Sequence, residues 1–367
     1  MALTESMSLP TGDPGRIHEE GHIVRDAVES ARQSVADLVG VTPREVVFTS
    51  SGTEAINAAV WGATTGRSGA AAPGPILCAD VEHSAVRDAS ARARHVEVLP
   101  VDATGRIDVA ALETRLGASD APRPALVQCQ WANHEVGTLQ PVESIVDLCR
   151  QAGVAVHVDA AAACGHVPMD LGQLGADLVS ISAHKLGGVG GAGALIVRRG
   201  TRRTPFIVGG DQERGRRAGF EAIPALIAFG AAAKALAAED QRRLRSEADL
   251  AHRHIAALSA AAEQVDEVEL VGARNPESRL PHLVCLGVRG VEAEAVLIGL
   301  DRAGVAAHSG SACSSESIEP SLVLEAMGVD PNHSLRVSVG WSTSDADVDA
   351  FARVFGDVVA QLRSLRA

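Results

Sequence analysis

Seven short runs of β-branched and aliphatic residues, each parted from the next by helical spacing or a turn, constrain this chain more than any other feature. They are VVFTS (46–50), PILCA (75–79), VEVLP (96–100), ALVQCQ (125–130), VAVHVDA (154–160), LVSIS (178–182) and ALIVRR (194–199). Most are apolar along their length and do not alternate, the pattern of strands covered on both faces. Between them lie helical patterns. In HIVRDAVESARQSVADLV (22–39), Val24, Ala27, Val28, Ala31, Val35 and Leu38 fall at helical intervals, and Gly40 stops the run. SGTEA opens a helix to about 62, and SAVRDASARA, residues near 108–116 and VESIVDLCRQAG supply three more. Such alternation predicts an α/β fold with a buried, mostly parallel sheet and helices on both faces.

From about residue 221 the texture changes. An Ala/Arg/Glu-rich helical stretch runs to about 262, followed by VELVG, HLVCLGV, a helix from 292, LRVSV and a helix from 345. This reads as a smaller α+β domain. The expected division is a short segment 1–11, a large domain 12–245 and a small C-terminal domain 246–367, within the usual size range for 367 residues. Aromatic residues are 2% and Tyr is absent, so the core must be aliphatic. ATTGRSGAAAPGP (63–75) reads as a loop.

Charge and cysteine usage narrow the class. The net charge is −13, and the Arg pairs 198–199, 202–203 and 216–217 are short and lie in loops, so no basic surface for nucleic acid or anionic membrane is expected. Six cysteines form neither CxxC nor a zinc-type cluster. A reduced, disulfide-free cytoplasmic protein is the expectation. MALTESMSLP has no signal-peptide character, and no apolar stretch is long enough to span a bilayer.

In open α/β sheets ligands bind at the carboxyl ends of strands, so the residues just after each strand carry the functional reading. After VVFTS come Ser51, Gly52 and Thr53, opening a helix. Backbone N–H groups and hydroxyls there make an anion cradle, and a plain N-cap with Thr53 as cap accounts for the same residues. After VAVHV comes Asp159, able to pair with a protonated ring nitrogen or to cap a loop. After LVSIS come His184 and Lys185, then GGVGG. A desolvated lysine becomes a nucleophilic amine, and the glycines let a ligand approach the backbone. Anion cradle, ring-nitrogen acid and aldehyde-reactive amine together are what pyridoxal 5′-phosphate (PLP) needs. His83, in ADVEHSA, offers an imidazole to stack on the ring or simply starts a helix. In AHSGSACSS (307–315), Cys313 sits among small polar residues, a setting for an exposed nucleophilic thiol or an incidental surface cysteine. Arg336, in LRVSV, can hold a substrate carboxylate or form a surface ion pair.

These segments resemble the cysteine desulfurases of the NifS/IscS type, in the class V, fold-type I group of PLP enzymes. The resemblance runs from about Gly12 to the C-terminus, through FTSSGTEAINAAVWG, VEHSAV, WANHEVGTLQPV, HVDAAAACGHVPMDL, SISAHKLGGVGGAGALIVRR, GGDQERGRRAG, SGSACSSESIEPS and LRVSVG. It implies a seven-stranded large domain and a homodimer. It also implies a set of roles. Lys185 carries PLP as a Schiff base and moves protons; Asp159 keeps the ring nitrogen protonated; His83 stacks on the ring and acts in acid–base steps. Ser51, Gly52, Thr53, Ser182 and His184 cradle the phosphate, and Arg336 holds the carboxylate of L-cysteine. Cys313 takes the substrate sulfur, leaving alanine and a persulfide that its loop delivers to an acceptor protein.

The chain departs from the family pattern at four places. His134 stands where the family has the second Asn of its NNE motif, which contacts the PLP 3′-oxygen; Ala162 stands where a Gln is usual; Phe220 replaces a Thr that reaches the neighbouring subunit's phosphate. Only Met1 to Thr11 precede GDPGRIHEEG, so the usual N-terminal wall of the pocket is missing or replaced. Each lost neutral hydrogen bond weakens cofactor binding by roughly 0.5–1.5 kcal/mol. Two other readings compete: a related class V lyase or aminotransferase, against which Cys313 argues, and a partly degenerate scaffold that needs a partner protein, against which Lys185, Asp159, His83, Cys313 and Arg336 together argue.

Overall fold

All seven apolar runs form strands: β1 (Val46–Thr49), β2 (Ile76–Ala79), β3 (Val96–Leu99), β4 (Leu126–Gln130), β5 (Val156–Asp159), β6 (Leu178–Ser182) and β7 (Gly193–Val197). The computed structural model describes residues 12–66, 73–201, 203–238, 240–309 and 320–365, with Leu3, Thr4 and Met7. The strands make one sheet in the order β1-β7-β6-β5-β4-β2-β3. β7 runs antiparallel to both its neighbours, and the other strands are mutually parallel. β1, β2 and β4 to β7 are buried along their whole length, as strands covered on both faces are, including polar members such as Gln128, His157 and Ser180.

The helices between strands are α1 (Glu19–Val39), α2 (Gly52–Thr64), α3 (Ser84–Ala93), α4 (Val109–Gly117) and α5 (Val142–Ala152). α1 starts earlier than its apolar spacing predicts. His18 caps it, accepting the Gly21 N–H at 3.2 Å, and Glu19 and Glu20 favour its positive end. Its buried face, with Val24, Val28, Ala31 and Val35, meets α6 (Ile223–Ala238). That contact requires Gly230, where a Cβ would lie 2.4 Å from the Ala31 Cα. The long helical stretch expected from 221 to 262 forms two helices, α6 and α7 (Asp240–Ala262).

A second, antiparallel sheet has the order β10-β11-β9-β8, with β8 at Val268–Val271, β9 at Leu283–Val288, β10 at His308–Ser309 and β11 at Ser334–Ser338. It packs with α7, α8 (Ala293–Arg302) and α9 (Asp345–Ser364), which begins at a Ser344–Asp347 capping box. Its core of Val284, Leu286, Val296, Leu335, Phe351 and Phe355 is a cluster separate from the one under the large sheet. Among the described residues no helix is long and apolar enough to cross a membrane.

Candidate active site

The carboxyl ends of β1, β2, β4, β5 and β6 lie along one edge of the large sheet, and the expected site residues follow them. Asp159 ends β5 and is 8% exposed. Ser180, its register partner on β6, donates its hydroxyl to Asp159 Oδ1 at 2.9 Å, and the Ala161 N–H adds a second bond at 3.1 Å. Among the described residues no hydrogen bond reaches Oδ2. This carboxylate is thus fixed from two segments with one oxygen left for a ligand.

β6 ends at Ser182 and passes into a 3₁₀ turn, Ala183–Leu186, that carries His184 and Lys185. Gly187 closes it at φ 89°, a left-handed conformation that glycine adopts without strain. Backbone bonds tie its base: Ala183 N–H to Ala192 O at 3.1 Å and Gly188 N–H to Ala183 O at 2.9 Å. Lys185 is exposed at this edge. Ser182 Oγ and His184 Nδ1 share a hydrogen bond of 2.9 Å. Partial burial, with the neighbouring Lys185 charge, lowers the His184 pKa.

Ser182 also meets the start of α2. A Cβ on Gly52 would lie 3.1 Å from the Ser182 Cβ, so the helix end is seated directly on the β6 turn. The N-cap is Ser51, whose hydroxyl accepts the Glu54 N–H at 3.1 Å; it is not Thr53, as the plain capping explanation supposed. The difference follows from the extended backbone of Ser51, and it leaves Thr53 exposed on the first turn. An acid at such a helix end would repel an anion, but Glu54 is engaged by Arg217 at 2.8 and 3.0 Å. Burial alone would raise the Glu54 pKa; the bonds from Arg217 and Ser50 outweigh it and hold the carboxyl below its ordinary value.

His83 follows β2 and caps α3, its Nδ1 accepting the Ala85 N–H at 3.0 Å. This fixes Nδ1 as the acceptor. Its ring lies 5.0 Å from that of His134. The His134 carbonyl accepts from Arg336 Nη1 at 3.2 Å, which links the loop after β4 to β11 of the second sheet. Ala162 is half-buried against the main core, and Phe220 is 63% exposed. Cys313 lies outside the described residues.

Four further residues escaped the sequence reading. Glu82, next to His83, is fully buried, with Oε1 accepting the Gln130 N–H at 2.7 Å and Oε2 lacking a partner. Burial, with the nearby Asp159 charge adding, pushes its pKa up to about 8. Ser180 holds Asp159; it was legible as the residue two before Ser182, hence on the same strand face. The rings of His166 and His282 are in contact, their centroids 3.9 Å apart and their planes tilted by 30°, and His166 Nε2 bonds the Lys185 carbonyl at 2.9 Å. No local pattern joins those two histidines, because they belong to different sheets.

The residues fit PLP. The close seat of Gly52 on Ser182, with hydroxyl and imidazole groups beside it, suits a phosphate. The free Asp159 oxygen suits a protonated ring nitrogen, and Lys185 stands at the same edge.

Comparison with known proteins agrees with this geometry. The aminotransferase class V family model matches residues 6–351. The cysteine desulfurase of Gluconacetobacter diazotrophicus is 37% identical over 366 residues, covering 96% of this chain and 88% of that protein. A solved NifS-like protein superposes with a TM-score of 0.86 at 27% identity, covering 98% of this chain and 96% of that one. SspA in complex with cysteine superposes with a TM-score of 0.74 at 26% identity, covering 92% and 94%. The chain therefore belongs to the class V aminotransferase family, among its cysteine desulfurases.

Proposed function

We propose that this chain is a PLP-dependent cysteine desulfurase that converts L-cysteine to L-alanine and passes the sulfur, as a Cys313 persulfide, to an acceptor protein. The observation that carries this reading is the convergence of Asp159, the Ser182–His184 pair, the α2 terminus and Lys185 at one sheet edge. The Gly52 and Thr53 N–H groups, with the hydroxyls of Ser51, Thr53 and Ser182 and the His184 ring, would hold the phosphate. Asp159, held in place by the bonds from Ser180 and Ala161, would pair with the protonated ring nitrogen. His83 would lie against the ring, His134 would hydrogen-bond the ring oxygen, and Lys185 would hold the aldehyde carbon and move protons. When bound, PLP supplies an electron sink for bond cleavage at an amino-acid substrate.

The chain's own residues do the rest. Arg336 pairs with the substrate carboxylate. The Cys313 thiolate attacks the substrate sulfur; the carbon–sulfur bond breaks, its electron pair leaves with carbon, and a proton there completes alanine. The products are Cys313–S–SH and L-alanine, so atoms balance. SspA, a structural relative, is known in complex with cysteine. A homodimer is part of the proposal. Trp61 and Phe206 pack ring to ring at the surface, and Val208 and Phe220 are exposed, an apolar face suited to a second copy. A cytoplasmic location fits the five described cysteines, all unpaired and buried.

The test is spectroscopic. The full chain titrated with PLP should turn yellow, and Lys185→Ala should not hold that colour through dialysis. L-Cysteine should then yield L-alanine, and Cys313→Ser should abolish sulfur transfer. A chain that cannot be loaded with PLP would sink the enzyme reading. A yellow chain that ignores cysteine would favour a related lyase.

A further inference from the structure

The two histidines in ring contact link the segments that carry the two ends of the proposed substrate site. His166 sits in the turn after β5, where Gly165 rests so closely on the Lys185 turn that a Cβ there would be 3.0 Å from the Leu186 Cβ. Its Nε2–H donates to the Lys185 carbonyl at 2.9 Å. A carbonyl can only accept, so the proton sits on Nε2. His282 lies immediately before β9, and its carbonyl accepts the Val339 N–H at 2.9 Å, anchoring it to β11. Three residues on, Cys285 is the register partner of Arg336. The 3.9 Å ring contact thus joins the Lys185 turn to the strand pair that carries Arg336.

Other uses of the pair are poorly supported. Among the described residues no group of three His, Cys, Asp or Glu side chains could hold a metal. Burial, with His166, Lys185 and Arg336 adding their charges, lowers the His282 pKa to about 3, so it does not exchange protons near neutrality. Burial also lowers that of His166. Two neutral rings can pack in contact without repulsion, and that is a positioning arrangement.

We propose that the His166–His282 ring contact sets the spacing between Lys185 and Arg336, and so positions an amino-acid substrate between its amine end and its carboxylate end. The roles of Lys185 and Arg336 rest on the desulfurase reading; the contact itself does not.

Four variants test it. His282→Ala removes the ring contact, and KM for L-cysteine should rise roughly two- to tenfold with a smaller change in kcat. His282→Phe keeps a ring and should restore KM. His166→Phe keeps a ring but donates nothing, and amide exchange at Gly187 and Gly188, which close the Lys185 turn, should quicken roughly two- to tenfold. His166→Gln keeps a donor and should restore slow exchange. The exchange measurement uses the full chain with and without PLP. The proposal is overturned if His282→Phe is as impaired in KM as His282→Ala, or if His166→Phe exchanges like the wild type. A wild-type chain that takes up no PLP would overturn the substrate assignment; exchange in the cofactor-free chain would still decide whether His166 holds the turn.

Discussion

Replacing Glu82 with Gln should change how stability depends on pH, and the structure sets the size of the effect. Glu82 is fully buried, and its pKa is raised from 4.5 to about 8, chiefly by burial. Between those values the native chain keeps the proton while the unfolded chain releases it. Stability from this group is therefore complete below pH 4.5 and is lost as pH rises through 8. The whole shift corresponds to about 5 kcal/mol. Two buried histidines act in the opposite direction at lower pH. His157 is pushed down from 6.5 to about 4 and His282 to about 3, both mainly by burial, so each destabilises the fold as pH falls below 6.5. Their contributions fade as pH rises past 6.5, and wild type and variant share them, so they cancel in the comparison. Between pH 6.5 and 8 the share of the slope that belongs to Glu82 is about 2 kcal/mol.

Urea unfolding of the full chain, followed by tryptophan fluorescence, measures this. Trp131 directly follows Gln130, the residue bonded to Glu82. Glu82→Gln keeps an acceptor for the Gln130 N–H but introduces an amide N–H₂ where Oε2 has no partner. That costs about 1–3 kcal/mol at every pH. The diagnostic is therefore the slope and not the offset: the variant should lose less stability than the wild type between pH 6.5 and 8, by about 2 kcal/mol. Parallel profiles for the two proteins across that window would refute the assignment of the raised pKa to Glu82.

Three further outcomes are expected. Arg336→Lys keeps the charge but loses the planar fork, so KM for L-cysteine should rise roughly tenfold in steady-state assays while kcat changes less. Glu213→Gln removes the buried partner of Arg32, which holds it through two bonds of 2.7 Å, and should destabilise the chain by about 3–5 kcal/mol in denaturant unfolding. Ala162→Gln adds a donor beside Asp159 and should tighten PLP binding roughly two- to tenfold by absorbance titration; no change would show that the side chain cannot reach the cofactor.

Much of the scaffold was legible because apolar runs and helical spacing report burial directly. LVSIS and SAVRDASARA coincide with β6 and α3, and the final helix begins at Asp345 as its spacing indicates. The strand-end rule pointed to Asp159, Lys185 and the α2 start, and these do come together. What stayed hidden depends on contacts across the chain. Ser51, not Thr53, caps α2 because its backbone is extended and the helix starts at Gly52, and residue type cannot distinguish the two. Glu82 looks like any surface acid until β4 covers it. His166 and His282 become a pair only once the second sheet is in place. The two-residue strand β10 has no periodicity to detect.

The antiparallel placement of β7 has a consequence for the order in which the molecule is made. Among the described residues β1 pairs with no strand except β7, which comes after it by most of the length of the large sheet. While the chain emerges from the ribosome, β2 to β6 can assemble among themselves. β1, buried throughout, must wait with its backbone groups unmatched until residues 193–197 arrive. Only then does α2 gain its seat on Ser182. The proposed anion cradle is thus the last part of the large sheet to close, although Ser51, Gly52 and Thr53 are among the first residues synthesised, and nascent chains that stop before Gly193 would carry an open strand edge for chaperones to cover.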